Sequence, residues 1–186
     1  MMKIYLKILT VFLLMFSCQS NKKEGNNLES ALEKEHTSQN NDIDVIITQQ
    51  QFSDFFPKEL GDYKLIEVSE ETVLSRTITS AFYLKGEDMK NNMEYSIEDG
   101  YKKGASVIKE FETSYRYKNK GEGDTEYIYE ERNGYQTIAF LQPEVNLNEI
   151  WFVYNQRFSI VLEGTEDSDK LWSYIKEKDL KKLDKY

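Results

Sequence analysis

The chain has 186 residues, a formal net charge of −9, one cysteine and one histidine. An acidic balance of this size repels phosphate backbones and anionic headgroups, which disfavours nucleic-acid binding and peripheral binding to lipid. A single cysteine admits no internal disulfide, so the stability of any folded part must come from its core.

Met1 to Cys18 open with Lys3 and Lys7, continue through the apolar run Ile8 to Phe16, and end with small Ser17 before Cys18. At about 1.5 Å rise per residue the apolar run reaches less than half of a hydrocarbon core about 30 Å thick, so it reads as a signal h-region and not a membrane span. The stretch resembles a bacterial lipoprotein signal, which implies cleavage before Cys18 and acylation of its thiol. Met15 and Phe16 stand where that family usually has Leu and a small or β-branched residue. The alternative is an ordinary secretory signal cut nearby, leaving a free thiol.

Gln19 to Asp44 are rich in Asn, Ser, Glu and Lys and nearly devoid of large apolar groups, so residues 18–44 read as an acylated cysteine and a flexible polar tether. The only histidine, His36, lies in it. Residues 45–186 are expected to fold as one domain, with a formal charge of −8.

Its first element is predicted as a helix through Val45 to Phe56, with Ile46, Ile47, Phe52, Phe55 and Phe56 on the apolar side and Pro57 stopping it. Tyr63 to Leu74, Arg76 to Leu84 and Met93 to Ile97 alternate or are β-branched and aromatic, predicting three strands. Gly104 to Tyr117 space Ala105, Ile108, Phe111 and Tyr115 as one helical face. Asn133-Gly134 predicts a tight hairpin with a type I′ turn. Glu149 to Tyr154 and Arg157 to Glu163 predict a second, turning at Asn155-Gln156. Asp167 or Ser168 can cap a last helix presenting Leu171, Trp172 and Ile175, with Leu180 and Leu183 packing the tail. Phe158, Ile160 and Leu162 are expected to meet that helix and form the core.

This order implies an α+β domain, a largely antiparallel sheet of about seven strands with flanking helices. The run from FPKELGDYKL through YSIEDGYKKG to NQRFSIVLEG and DLKKLDK resembles a domain of small secreted bacterial lipoproteins, and more weakly a PsbP-like sheet. The motifs behind both likenesses are structural, so they imply a fold and no chemistry.

With no histidine after His36 and no cysteine after Cys18, the domain cannot build a Ser-His-Asp, Cys-His or ordinary zinc site. Gly121 and Gly123 sit in a polar loop, the wrong context for a phosphate cradle. No cofactor is expected. Adjacent acids such as Glu70-Glu71, Glu98-Asp99 and Glu130-Glu131 point to opposite faces of a strand and make no dyad. Glu163, Glu166, Asp167 and Asp169 are a denser run that suits a hard cation by chemistry and a helix N-terminus by charge. Tyr115, Tyr117, Tyr127, Tyr129 and Tyr135 offer either a ligand platform or sheet packing. Arg157 and Trp172 are the candidate partner contacts, Arg157 being equally able to pair with a nearby carboxylate.

The expectation is a lipid-anchored, non-catalytic lipoprotein of the cell envelope, bound to a membrane through Cys18 and binding a protein or an envelope component. Two alternatives stay open: an acidic immunity or inhibitor protein against a basic secreted toxin, and a hydrolase working through carboxylates. The sequence does not choose between inner and outer membrane, or set the oligomeric state.

Overall fold

The computed structural model describes residues 47–73, 76–87, 89–101 and 105–186. The signal, Cys18 and the tether lie outside them. Apolar and polar residues alternate through most of the chain after Leu60, and eight strands result: β1 Glu59–Leu60, β2 Tyr63–Val73, β3 Arg76–Leu84, β4 Asn92–Asp99, β5 Glu126–Arg132, β6 Tyr135–Gln142, β7 Leu147–Tyr154 and β8 Phe158–Gly164. They form one antiparallel sheet in the order β1-β2-β3-β4-β8-β7-β6-β5. Strands consecutive in sequence pair with one another within each half, which makes two meanders, β1 to β4 and β5 to β8. The halves join where β4 pairs with β8, because helix α2 (Ser106–Tyr117) separates β4 from β5 and the second meander runs inward from the far edge.

The α+β class and the antiparallel sheet are as expected; the strand count is eight, since the two residues of β1 pair with Lys64 and Tyr63 in a stretch too short to carry a period. The first helix is much shorter than expected: α1 spans only Gln49–Ser53. Thr48 caps it, accepting a 3.4 Å bond from the Gln51 N–H while the Gln51 side chain accepts the Thr48 N–H at 2.9 Å. That reciprocal cap fixes the start. Phe55 and Phe56 follow the helix and pack edge-on against Tyr95 at 5.4 and 5.6 Å. Val45, Ile46, Leu74 and Gly104 of the expected elements lie outside the described residues.

One face of the sheet is closed. Met93, Tyr95, Ile97, Ile150, Phe152, Phe158, Ile160 and Leu162 alternate along β4, β7 and β8, and each is at most 1% exposed. Phe52, Phe55 and Phe56 cover them from the α1 end. Leu171 and Ile175 with helix α3 (Ser168–Tyr174), Leu180 from helix α4 (Glu177–Leu180), and Leu183 complete the cover. Asp167 caps α3 through a 2.8 Å bond from the Lys170 N–H. The expected contact between β8 and the last helix is present. Trp172 is half-buried and stands edge-on to Phe152 at 5.3 Å.

The two hairpins differ in their loops. Asn133 and Gly134 have φ of 52° and 84°, and Arg132 pairs with Tyr135 across a two-residue loop, as expected. In the second, Tyr154 pairs with Phe158, so Arg157 belongs to a three-residue loop and does not begin β8.

Candidate functional site

The opposite face of the same strands is built differently. Helix α2 buries Val107, Ile108 and Phe111 and packs over β6, β7 and β8. Phe111 meets the Trp151 ring edge-on at 5.1 Å, and the Trp151 indole N–H donates to Ser159 Oγ at 2.8 Å, which fixes the indole against the sheet. Arg76 at the start of β3 ties the helix down from the side. Its guanidinium donates to both oxygens of Glu98 at 2.7 and 2.6 Å and to Glu110 of α2 at 3.2 Å. Between that clamp and Trp151 lies a groove of about 330 Å³, floored by Ser80, Ser96 and Val161 of the sheet.

A row of carboxylates crosses the end of this groove. Glu94 on β4 pairs in register with Glu163 on β8, and Glu163 with Glu149 on β7. Phe82 continues the row on one side and Phe140 on the other. Direct cross-strand neighbours have Cβ atoms about 5 Å apart, close enough for like charges to oppose one another. Burial, then the charge of Glu163, pushes the Glu149 carboxyl up to about 7, and burial followed by the charge of Glu94 raises that of Glu163. Among the described residues no Lys or Arg forms an ion pair with any of the three. Glu94 accepts a 3.2 Å bond from Ser96 Oγ. Chemically, the row is a site that holds a proton near neutral pH or exchanges it for an external positive charge.

No family model, curated protein or solved structure matches the chain. The resemblance to lipoproteins therefore rests on the residues quoted above, and the site is read from its geometry.

The acidic run ahead of α3 does not converge. Glu163 belongs to the carboxylate row, Glu166 accepts the Tyr63 hydroxyl at 3.0 Å, Asp167 caps α3, and Asp169 receives Arg132 at 2.6 Å. Among the described residues no group of three His, Cys, Asp or Glu side chains is arranged to hold a metal ion. Arg157 forms a two-bond pair with Asp99 at 2.6 and 2.7 Å and donates to the Tyr186 carbonyl. It thus ties a loop to the end of β4. Trp172 packs against the closed core. The tyrosines divide between the faces: Tyr115 and Tyr129 meet at 6.0 Å and Tyr127 stacks on Phe140 at 4.5 Å on the α2 side, while Tyr135 lies against Phe152 on the core side. Tyr117 is exposed. They do not form one platform.

Glu94, Glu149, Trp151 and the Arg76 clamp were not among the sequence candidates. For Glu149 the signal was in the register of the second hairpin. Only an odd-numbered loop places Phe152 opposite Ile160, as the apolar alternation demands, and that loop sets Glu149 opposite Glu163.

Proposed function

We propose that this chain is a lipid-anchored, non-catalytic module of the cell envelope, attached to a membrane through acylated Cys18 and binding a protein or an envelope component. The observation that carries the binding reading is the asymmetry of the sheet: helices and aromatic side chains seal one face, while the other presents a groove and three carboxylates with no ion pair among the described residues. A fold that needed this sheet only for stability gains nothing from holding like charges together. The anchor is supported by the sequence from Lys3 to Cys18 and by the polar tether after it. The likeness to PsbP-like domains is kept as a proposal on fold alone, supported by the antiparallel sheet with helices on both faces.

The test has two parts. Cys18→Ala should abolish labelling by a palmitate analogue and move the protein out of the membrane fraction; continued full membrane partition would overturn the anchor. Crosslinking in intact cells should then trap a discrete adduct with the anchored protein, and its absence would count against a binding module. The acidic row also suits the immunity or inhibitor alternative, which a neighbouring gene for a secreted basic toxin would favour. The hydrolase alternative would use Glu149 as its proton-bearing acid, and Glu149→Gln would abolish any glycosidase activity found.

A further inference from the structure

Beside α2, the open part of the second face carries two kinds of side chain. Ile78, Phe82, Leu84 and Val161 are half-buried apolar groups from β3 and β8. Around them Glu67, Glu71 and Glu94 are exposed and Glu163 and Glu149 half-buried. The described basic residues on the face are Lys64, at the β2 edge, and Arg76, which is engaged by Glu98 and Glu110. An apolar strip fringed by surplus negative charge is complementary to a chain that alternates apolar and cationic side chains. A bare metal ion fits it poorly, since no three acids converge.

We propose that this face docks a basic segment of a protein partner, laid along the groove so that its lysines or arginines meet Glu94, Glu163 and Glu149 while its apolar side chains cover Ile78 and Val161. The assignment rests on the binding reading above and names the surface and the chemistry of the partner. A cation placed beside two neighbouring carboxylates relieves their mutual repulsion, so binding draws on strain already present in the free protein. The groups around Glu149 are Glu163 and Glu94 along the row, Phe140 beside it, and Glu71, Arg76, Glu98 and Glu110 lining the same groove. Because Glu149 must give up its proton to pair with a cation, the affinity rises with pH between about 5 and 8.

The probe is a twelve-residue peptide of alternating Lys and Val, titrated into the full-length chain in detergent and followed by calorimetry. The expected result is saturable binding at pH 8, weakened at least tenfold at pH 5 and at least tenfold in the double variant Glu94→Gln, Glu163→Gln. A control double variant, Glu122→Gln with Glu144→Gln, removes the same charge from exposed positions elsewhere and should bind as the parent does. Equal weakening in the control, or an undiminished affinity in the row variant, would overturn the proposed surface. Spermidine binding as tightly as the peptide would overturn the protein partner in favour of a small polyamine. A crosslinked envelope adduct that persists in the row variant would defeat this surface while leaving the binding reading intact, whereas loss of every adduct from the parent chain defeats the reading itself.

Discussion

The two faces of one sheet obey opposite rules. On the core side, β4, β7 and β8 present Ile97, Ile160 and Phe152 in a single row, every one fully buried and matched to apolar groups from α1, α3 and α4. Three residues along the same strands, on the other side, the row reads Glu94, Glu163, Glu149, flanked by Phe82 and Phe140 and bordering the groove. Alternation forces the faces to share a backbone but not a purpose. Stability is concentrated on the first face, and the second carries groups whose arrangement costs stability.

The sharpest way to break that contrast is to truncate neighbouring residues of β8. Ile160→Ala should lose about 2 to 5 kcal/mol, because it opens a cavity among rigidly packed neighbours. Val161→Ala, whose side chain lines the groove, should lose less than about 1 kcal/mol. Chemical denaturation of the two variants gives the comparison directly; equal losses would mean that both faces are core.

Next in size is the effect of removing the buried charge. The Glu149 carboxyl is raised from 4.5 to about 7 in the folded chain, so the folded state binds the extra proton and stability falls as pH rises through that window. Below it the carboxyl is neutral in both states and nothing is lost. Glu149→Gln should therefore stabilise the protein at pH 8 by up to about 3 kcal/mol and have little effect at pH 4, read from melting temperatures at the two pH values.

The smallest effect belongs to a turn away from both faces. Gly134 has φ of 84°, and a Cβ built there would meet nothing within 4 Å, so Gly134→Val adds backbone strain without a clash. The expected loss is about 1 to 2 kcal/mol with the native fold retained, seen as a lowered denaturation midpoint at unchanged slope.

Much of the first face was legible in the sequence. The period of two in Phe158, Ile160 and Leu162, the Asp167 cap and the Asn133-Gly134 turn each state a local rule that the structure obeys. The length of α1 was not legible, because its apolar side chains continue past the point where the backbone leaves the helix, and only the Thr48–Gln51 cap marks where it begins. The carboxylate row was hidden for another reason. Glu94 and Glu163 lie far apart in sequence, and their meeting depends on β4 pairing with β8 across an intervening helix and three strands. Glu149 and Glu163 were closer to reach, but counting Asn155-Gln156 as the whole loop placed Glu149 one residue out of register.

A carbon-detected NMR titration of the Glu149 side-chain carboxyl, assigned against Glu149→Gln, measures directly whether like charges are held together on the open face. The expected midpoint is near 7, falling in Glu163→Gln; a midpoint near 4.5, unmoved by that substitution, would mean that the carboxylates do not act on one another.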